Sequence, residues 1–421
     1  MKKIIWANLL HIYQPPDQKK HIIRKVVKES YRPLMKTLKK NPKVKITLNI
    51  PACLTQILAK NKEFSNIIKD IKKLSAAGQI EFTGSAAFHA FLPLVHTGEI
   101  RRQIQLNERI NKEIFGNLYQ PKGFFPPEMG YNEKMAKIVR RMGYQWLVLD
   151  EIAFGKKLGK ISFRHKYFNK KLGMNFVFRN RSLSDIFFYA EINTLEDFIR
   201  TVNQQLKNKQ PMITAFDGES LGHHKKGTDK FFAEIVNSNQ FKTVTYSELL
   251  NSYKKSKKVT PRACSWASTK KELRSYNPYS LWYNPKNEIH QLQWQLSKLA
   301  VNTVRRNLSS SDYLKARELL DRSLNSDIYW WVSAQSLRDT KFIEKAANKM
   351  FDIVKIIKKS PQDKTFKKAS RYKKKIINLA KEWQKTGKTE KIRIEHFKNA
   401  KKRKRRIFFG KNQVFNNKNP R

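Results

Sequence analysis

The sequence predicts an α/β fold: a seven-stranded (β/α) barrel over residues 1–255, a helical C-terminal subdomain over 256–395 that completes the cleft, and a basic, disordered tail over 396–421. Three observations predict it. Short, near-continuously apolar runs recur through the first 250 residues, as strands covered on both faces by helices require. Longer segments with helical spacing lie between them, and strand–helix alternation implies a parallel sheet that about seven strands can close. After residue 255 the strand pattern stops and helical spacing takes over.

The predicted strands are 4–10, 44–50, 80–83, 123–125, 146–149, 212–216 and 241–245. Between them, residues 64–77 and 97–115 carry helical spacing, and 135–142 reads as a helix ending at Gly143, where a left-handed cap is easily adopted. A loop rich in Pro, Asn and Tyr at 277–285 leads to Ile289, Leu292, Leu296 and Leu299 at helical spacing. Further helices are predicted at 313–324, 342–357 and 364–385, with a break at Ser360-Pro361. No internal repeat is evident.

Composition narrows the class. A chain that is 40% hydrophobic and 12% aromatic has enough apolar mass for a packed core. Cys53 and Cys264 lie far apart and match neither a disulfide framework nor a zinc ribbon, which favours a reducing compartment. The apolar run at the N-terminus is broken by Asn8 and leads into His11, Tyr13 and Gln14, so it reads as a buried strand, not a signal peptide. No run approaches the eighteen apolar residues of a membrane span. A cytoplasmic protein with no cofactor and no membrane contact is the expectation. The 87 Lys and Arg against 34 Asp and Glu give +53, which points to a polyanion if the charge is concentrated. The lysines are instead spread along the chain, as a residue-usage bias would leave them. Only Lys401 to Arg406 (KKRKRR) forms a concentrated patch, where a weak polyanion contact is expected.

Four clusters carry chemistry. His11-Ile-Tyr-Gln14-Pro15-Pro16 follows the first strand, and a His and a Gln on a stiff turn suit hydrogen bonds to sugar hydroxyls, although a His at a strand end is more often structural. In Gly78-Gln-Ile-Glu81, with Gly84 and His89 beyond, strand alternation puts Glu81 and Thr83 on one face. A carboxylate there is either a site residue or an exposed edge Glu. In Gly123-Phe-Phe-Pro126-Pro127-Glu128, two prolines leave the carboxylate little freedom, as a nucleophile requires. The competing role is an acidic residue in the first turn of the next helix. Finally, Phe216-Asp217-Gly218-Glu219 with Gly222-His223-His224 brings two carboxylates and two histidines into one loop. Crowded carboxylates resist joint ionisation, so one of them can act as an acid. Asp217, Glu219, His223 and His224 as metal ligands are the rival, weakened because all would come from one short loop.

In that order and at those intervals, HIYQPP, GQIEFTGSAAFH, GFFPPEMGYN and FDGESLGHH resemble glycoside hydrolase family 57 over roughly residues 1–335. Phe178-Arg-Asn-Arg181 with Leu183-Ser-Asp185, and Asp327-Ile-Tyr-Trp330-Trp331, match the family's style as well. The resemblance implies retaining action on α-glucans (α-amylase, 4-α-glucanotransferase or branching type), with Glu128 as nucleophile and Asp217 as acid/base. It also implies that His11, Glu81 and Glu219 line the donor-sugar site. Tyr13 stands where many members carry a second His. Gln14, His89, His223 and the aromatic faces of Trp266 and Trp282 complete the candidate substrate site, whereas Trp330 and Trp331 read as core. Arg179 and Arg181 hold carboxylates or substrate, or are solvated charges. The two reacting carboxyls of a retaining enzyme are expected about 5–5.5 Å apart. The rival functions are a metal-dependent, polysaccharide-deacetylase-like hydrolase and a nucleic-acid-binding protein on an inactive barrel.

Overall fold

A computed structural model describes residues 3–155, 158–190, 192–206, 210–333, 339–392, 394–395 and 398. The basic patch at 401–406 lies outside them. Ten strands form one sheet: β1 (Ile4–His11), β2 (Ile46–Asn49), β3 (Ile80–Gly84), β4 (Gly123–Phe124), β5 (Trp146–Asp150), β6 (Lys166–Asn169), β7 (Met174–Arg179), β8 (Met212–Asp217), β9 (Phe241–Val244) and β10 (Ser256–Lys258). Their order is β10-β6-β7-β5-β4-β3-β2-β1-β8, with β9 paired to the first half of β1. All pairings are parallel except the β6–β7 hairpin.

All seven strands read from the sequence are present. The expected closed seven-stranded barrel is met in part, as a curled, mostly parallel sheet with a helical C-terminal part. The count of ten arises because β6, β7 and β10 were not anticipated. The curl brings the Asn180 N–H, one residue past β7, to the Ile213 carbonyl of β8 at 2.7 Å. β10 joins the sheet from residues assigned to the helical subdomain.

The core is apolar where the strands demanded it. Trp6 on β1 is fully buried between Phe187 and Phe232, with its indole N–H donating to Thr214 Oγ1 at 2.7 Å. The helices fall where helical spacing placed them: Ser65–Ala76, Thr97–Phe115, and Glu133–Arg141, which ends before Gly143 at φ +97°. The C-terminal helices are Glu288–Arg306, Tyr313–Ser323, Lys341–Ile357 and Lys364–Lys385, with the short Asp327–Trp330 between the second and third. Buried charge docks them on the sheet's outer helices: Arg317 bonds Glu99 (2.6 Å) and Asp321 (2.8 Å), and Arg102 bonds Asp321 (2.7 Å). Among the described residues no helix is long and apolar enough to cross a membrane.

Candidate active site

Every strand that matters delivers its residue at the C-terminal end. β1 ends at His11, β2 at Asn49, β5 at Asp150, β7 at Arg179 and β8 at Asp217, and β4 runs through Phe125 and two prolines to Glu128. Parallel strands align these ends on one rim of the curled sheet, the edge at which (β/α) barrels carry their sites.

Glu128 is the most constrained of them. Its backbone has φ 61° and Met129 has φ 48°, a left-handed conformation that costs a non-glycine residue of order 1–3 kcal/mol and clusters at reacting sites. It does not cap a helix. Its carboxylate accepts from Trp266 Nε1 (2.8 Å) and Ser326 Oγ (3.2 Å), and His89 Nδ1 lies 4.0 Å away. Burial, then the nearby charges of Asp327 and Asp217, push its pKa up to about 8 against those two donors. Asp217, paired in register with His11, is partly exposed; burial lifts it to about 6 against the Arg179 guanidinium.

Glu219 lies behind Asp217. It accepts from the Tyr13 N–H (2.8 Å) and the Tyr31 hydroxyl, and burial plus the charge of Asp217 raise it to about 8. Tyr31 reaches it because a π-helical turn, Val27–Tyr31, packs against the 218–223 loop, with Ser30 Oγ bonding the Gly218 carbonyl at 2.8 Å. The fit explains Gly222: at φ +98°, a Cβ there would stand 2.1 Å from the Glu29 carbonyl. π-turns of this kind often mark functional sites.

The floor is a column of rings. Phe125, His11, His89 and Tyr13 stack at centroid spacings of 4.6, 5.0 and 3.9 Å. The Tyr13 hydroxyl donates to Asp327 at 2.5 Å, so the loop after β1 reaches the C-terminal part. The wall is the 264–268 segment. Buried Arg181 bonds Asp150 (2.7 Å), the Trp266 carbonyl (3.0 Å) and the Ser268 carbonyl (3.1 Å), and Arg179 bonds Asp150 (2.8 Å) with its guanidinium 5.6 Å from the Trp266 ring centre. These arginines position carboxylates and backbone; they are not solvated charges.

The structure thus brings together His11, His89, Glu128, Asp217, Glu219 and Trp266. Gln14 is buried beside them, accepting from Gln18 at 3.1 Å. Glu81, His223 and Trp282 are not gathered in. Glu81 sits two residues below Thr83 in the sheet interior, where Thr47 Oγ1 and the Ser247 N–H both donate to it at 3.1 Å; it braces the first turn of the helix Tyr246–Ser252, which Thr245 and Glu248 cap. His223 is held by Glu29 at 2.6 Å. Trp282 is buried and stacks on Phe91 at 4.5 Å, as core. Among the described residues no three His, Cys, Asp or Glu are grouped to hold a metal ion. Sequence reading did not pick out Asn49, Tyr31, Ser326 or Asp327 as site residues.

Two carboxyls on one rim, one rigidly held and one partly exposed, suit acid-assisted displacement at a carbon centre. A family model described as glycosyl hydrolase family 57 matches residues 5–263, more than half of the chain. The chain belongs to glycosyl hydrolase family 57. It is 21% identical over 267 residues to an alpha-amylase of Pyrococcus horikoshii, covering 60% of this chain and 41% of the amylase. It is 21% identical over 301 residues to a 4-alpha-glucanotransferase of Thermococcus litoralis, covering 68% and 43%. It therefore spans about two fifths of the length of these relatives. Among solved structures, that glucanotransferase superposes with a TM-score of 0.66 at 17% identity, over 84% of this chain and 60% of the other. A GH57 branching enzyme from Thermococcus kodakaraensis, in complex with glucose, gives 0.67 at 15%, over 85% and 90%. At such identities the likeness establishes the fold. Ser326 and Asp327, which reach the Glu128 site from the helical part, lie beyond the stretch that the family 57 model matches.

Proposed function

We propose that the chain is a retaining enzyme of α-glucan metabolism, with Glu128 as nucleophile and Asp217 as general acid/base. The observation that carries this reading is the contrast between the two carboxyls. Glu128 is fixed by a left-handed backbone and two side-chain donors, as in-line attack requires. Asp217 is partly exposed at the mouth beside it, where a leaving oxygen or a water can reach. The relatives' names, alpha-amylase and 4-alpha-glucanotransferase, support the substrate class. Strands β8-β1-β2-β3-β4-β5-β7 are read as the seven staves of a barrel that the Asn180–Ile213 bond brings to closure.

In this scheme Asp217 protonates the departing glycosidic oxygen while Glu128 attacks the anomeric carbon. Asp217 then removes a proton from water or from a sugar hydroxyl, and the glycosyl–Glu128 ester is released with retention. Both groups are raised by burial and coupled, so the protons belong to the pair. The bound glycosidic oxygen decides that Asp217 holds one when the bond breaks. The two free, buried thiols, Cys53 and Cys264, support the cytoplasm as the compartment.

The test is incubation with maltooligosaccharides and amylose, reading product lengths, linkages and the anomer first formed. Shorter products alone mean hydrolysis, longer ones mean transfer, and new α-1,6 links mean branching. Glu128→Gln is expected to abolish turnover; undiminished turnover, or a β-anomer as first product from an α-linked substrate, overturns the assignment.

A further inference from the structure

The contacts of Glu128 continue as one hydrogen-bonded chain. Ser326 Oγ lies 3.2 Å from Glu128 Oε1 and 2.9 Å from His89 Nδ1. His89 Nε2 lies 3.1 Å from His11 Nε2, His11 Nδ1 lies 2.7 Å from Asn49 Oδ1, and Asn49 Nδ2 donates to Thr83 Oγ1 at 2.9 Å. His11, His89, Asn49, Thr83 and Ser326 are all buried, so each contact needs one hydrogen.

Counting from the far end places those hydrogens. Asn49 Oδ1 only accepts, so His11 carries its hydrogen on Nδ1. A neutral His11 then presents a bare Nε2, and His89 must donate from its own Nε2. A neutral His89 accepts at Nδ1 from Ser326. Ser326, its single hydrogen committed, accepts from Glu128, which is therefore protonated. A second arrangement holds the same number of protons: Ser326 donates to an ionised Glu128, and an imidazolium His89 donates to Ser326. The third, with Glu128 ionised and both rings neutral, leaves two lone pairs facing each other, at Ser326–Glu128 or at His89–His11.

We propose that His89 is the proton acceptor for Glu128, reached through Ser326, so that the carboxyl becomes a nucleophile by passing its proton into the His89–His11 pair. This deepens the reading of Glu128 as nucleophile and rests on it. In the step, the Glu128 O–H and the Ser326 O–H break while a new Ser326 O–H and a His89 Nδ1–H form. Glu128 becomes a carboxylate and the Nδ1 lone pair of His89 takes the proton, with charge and atoms conserved. The proton returns by the same route when the ester is released.

The titratable groups facing this chain are Asp217 from β8, Asp327 from the helical part, and Tyr13 from the loop after β1, whose ring covers His89. Burial holds Glu128 up and His89 down, which favours the neutral arrangement, with Ser326 accepting from Glu128; the donation from Ser326 to an ionised Glu128 belongs to the ion-pair arrangement. Positive charge developing at an anomeric carbon beside Glu128 tips the balance toward the ion pair.

Ring-nitrogen NMR on the full chain labelled with 15N-histidine tests the polarity without turnover. With nine histidines, the two signals are assigned from the His11→Asn and His89→Asn variants. At pH 7 His11 is expected as the Nδ1–H tautomer and His89 as the Nε2–H tautomer; His89 found as Nδ1–H overturns the proposal. Kinetically, Ser326→Ala is expected to lower kcat about 100-fold with KM little changed and to lose the solvent isotope effect of a two-proton step, and Ser326→Thr to restore both. Wild-type kcat and isotope effect in Ser326→Ala also overturn it. A chain inactive on every α-glucan fails the proposed function, and the tautomers still decide this step.

Discussion

Trp266→Phe isolates the donor that holds the candidate nucleophile. The indole N–H is 2.8 Å from Glu128 Oε2 and is one of two side-chain donors to that carboxylate. Phenylalanine keeps a ring against Phe125 and His11, which lie 5.9 and 6.1 Å away between centroids, and deletes only the hydrogen bond. A bond to a charged acceptor contributes about 1.5–3 kcal/mol. Because it acts on the ionised carboxyl and hardly on the neutral one, its loss makes Glu128 harder to ionise, above the present value of about 8. kcat/KM is then expected to fall about 10- to 100-fold, with the alkaline limb of the pH profile displaced to higher pH, because Glu128 is the higher-titrating member of the pair with Asp217. The assay is initial-rate hydrolysis of a chromogenic maltooligosaccharide from pH 4 to 9, with circular dichroism to confirm folding. A folded Trp266→Phe enzyme with the wild-type limb and rate refutes the reasoning.

Arg181→Lys keeps a cation beside Asp150 but cannot serve both the Trp266 and Ser268 carbonyls. About tenfold loss of kcat is expected, and the Trp266→Phe/Arg181→Lys double variant should lose less than the product of the two, because both act through one indole; multiplicative losses would contradict the clamp. Burial raises Glu128 and Glu219 to about 8 and Glu151 to about 7. Through these carboxyls the folded chain holds protons that the unfolded one has lost, and their contribution to stability falls as pH rises from about 4 to 8. The histidines His11, His224 and His290, lowered to about 4, act in the opposite sense below about pH 6.5, so the fall is clearest above it. Glu128→Gln removes one such carboxyl and should be about 1–3 kcal/mol more stable than wild type at pH 8, and near it at pH 4, in urea titrations. Glu81→Ala removes an acceptor for the first turn of the helix Tyr246–Ser252, whose cap is Thr245 with Glu248, without touching the rim, so it should cost about 1–3 kcal/mol of stability and leave KM unchanged; a raised KM would return Glu81 to the substrate site.

The strands were legible because burial on both faces writes a continuous apolar run, and the seven such runs are all present. β7 escaped: Met174–Arg179 follows a hairpin turn, and Asn175 and Arg179 break its apolar run. The rim positions of Glu128 and Asp217 were legible because each stands at or just past the end of an apolar strand. Glu81 misled for the same reason, since alternation fixes the face of a strand but not the height within it; Thr83 on that face reaches Asn49 of the site, whereas Glu81 reaches the helix beneath. Tyr13 meets Asp327 across 314 positions, and no local pattern in either segment announces the other. Trp282 shows the converse. Its loop-like surroundings suggested exposure, but Phe91 and Tyr279 build a core around it.

The strain in the rim has a structural source that explains why the C-terminal part belongs to the site. Among the described residues, five non-glycine positions have positive φ, and His89, Glu128 and Met129 are three of them. Each of the two loops is pinned by a later segment. The Ser326 N–H bonds the His89 carbonyl at 2.9 Å beside the Ala90–Asn325 bridge. The Trp266 N–H bonds the Glu128 carbonyl at 3.0 Å beside the Tyr131–Cys264 bridge. The two residues that fix the backbones are also the two whose side chains grip the Glu128 carboxylate. Left-handed backbone at a bulky residue is tolerated only where the surroundings over-determine it, and here they do so with the same residues whose side chains hold the Glu128 carboxyl. Undocking of residues 264–268 or 325–327 would therefore relax the backbone and disarm the carboxylate together. The amides of Trp266 and Ser326 should accordingly exchange their hydrogens only in openings that also abolish turnover, and fast exchange of either in fully active protein would break that link.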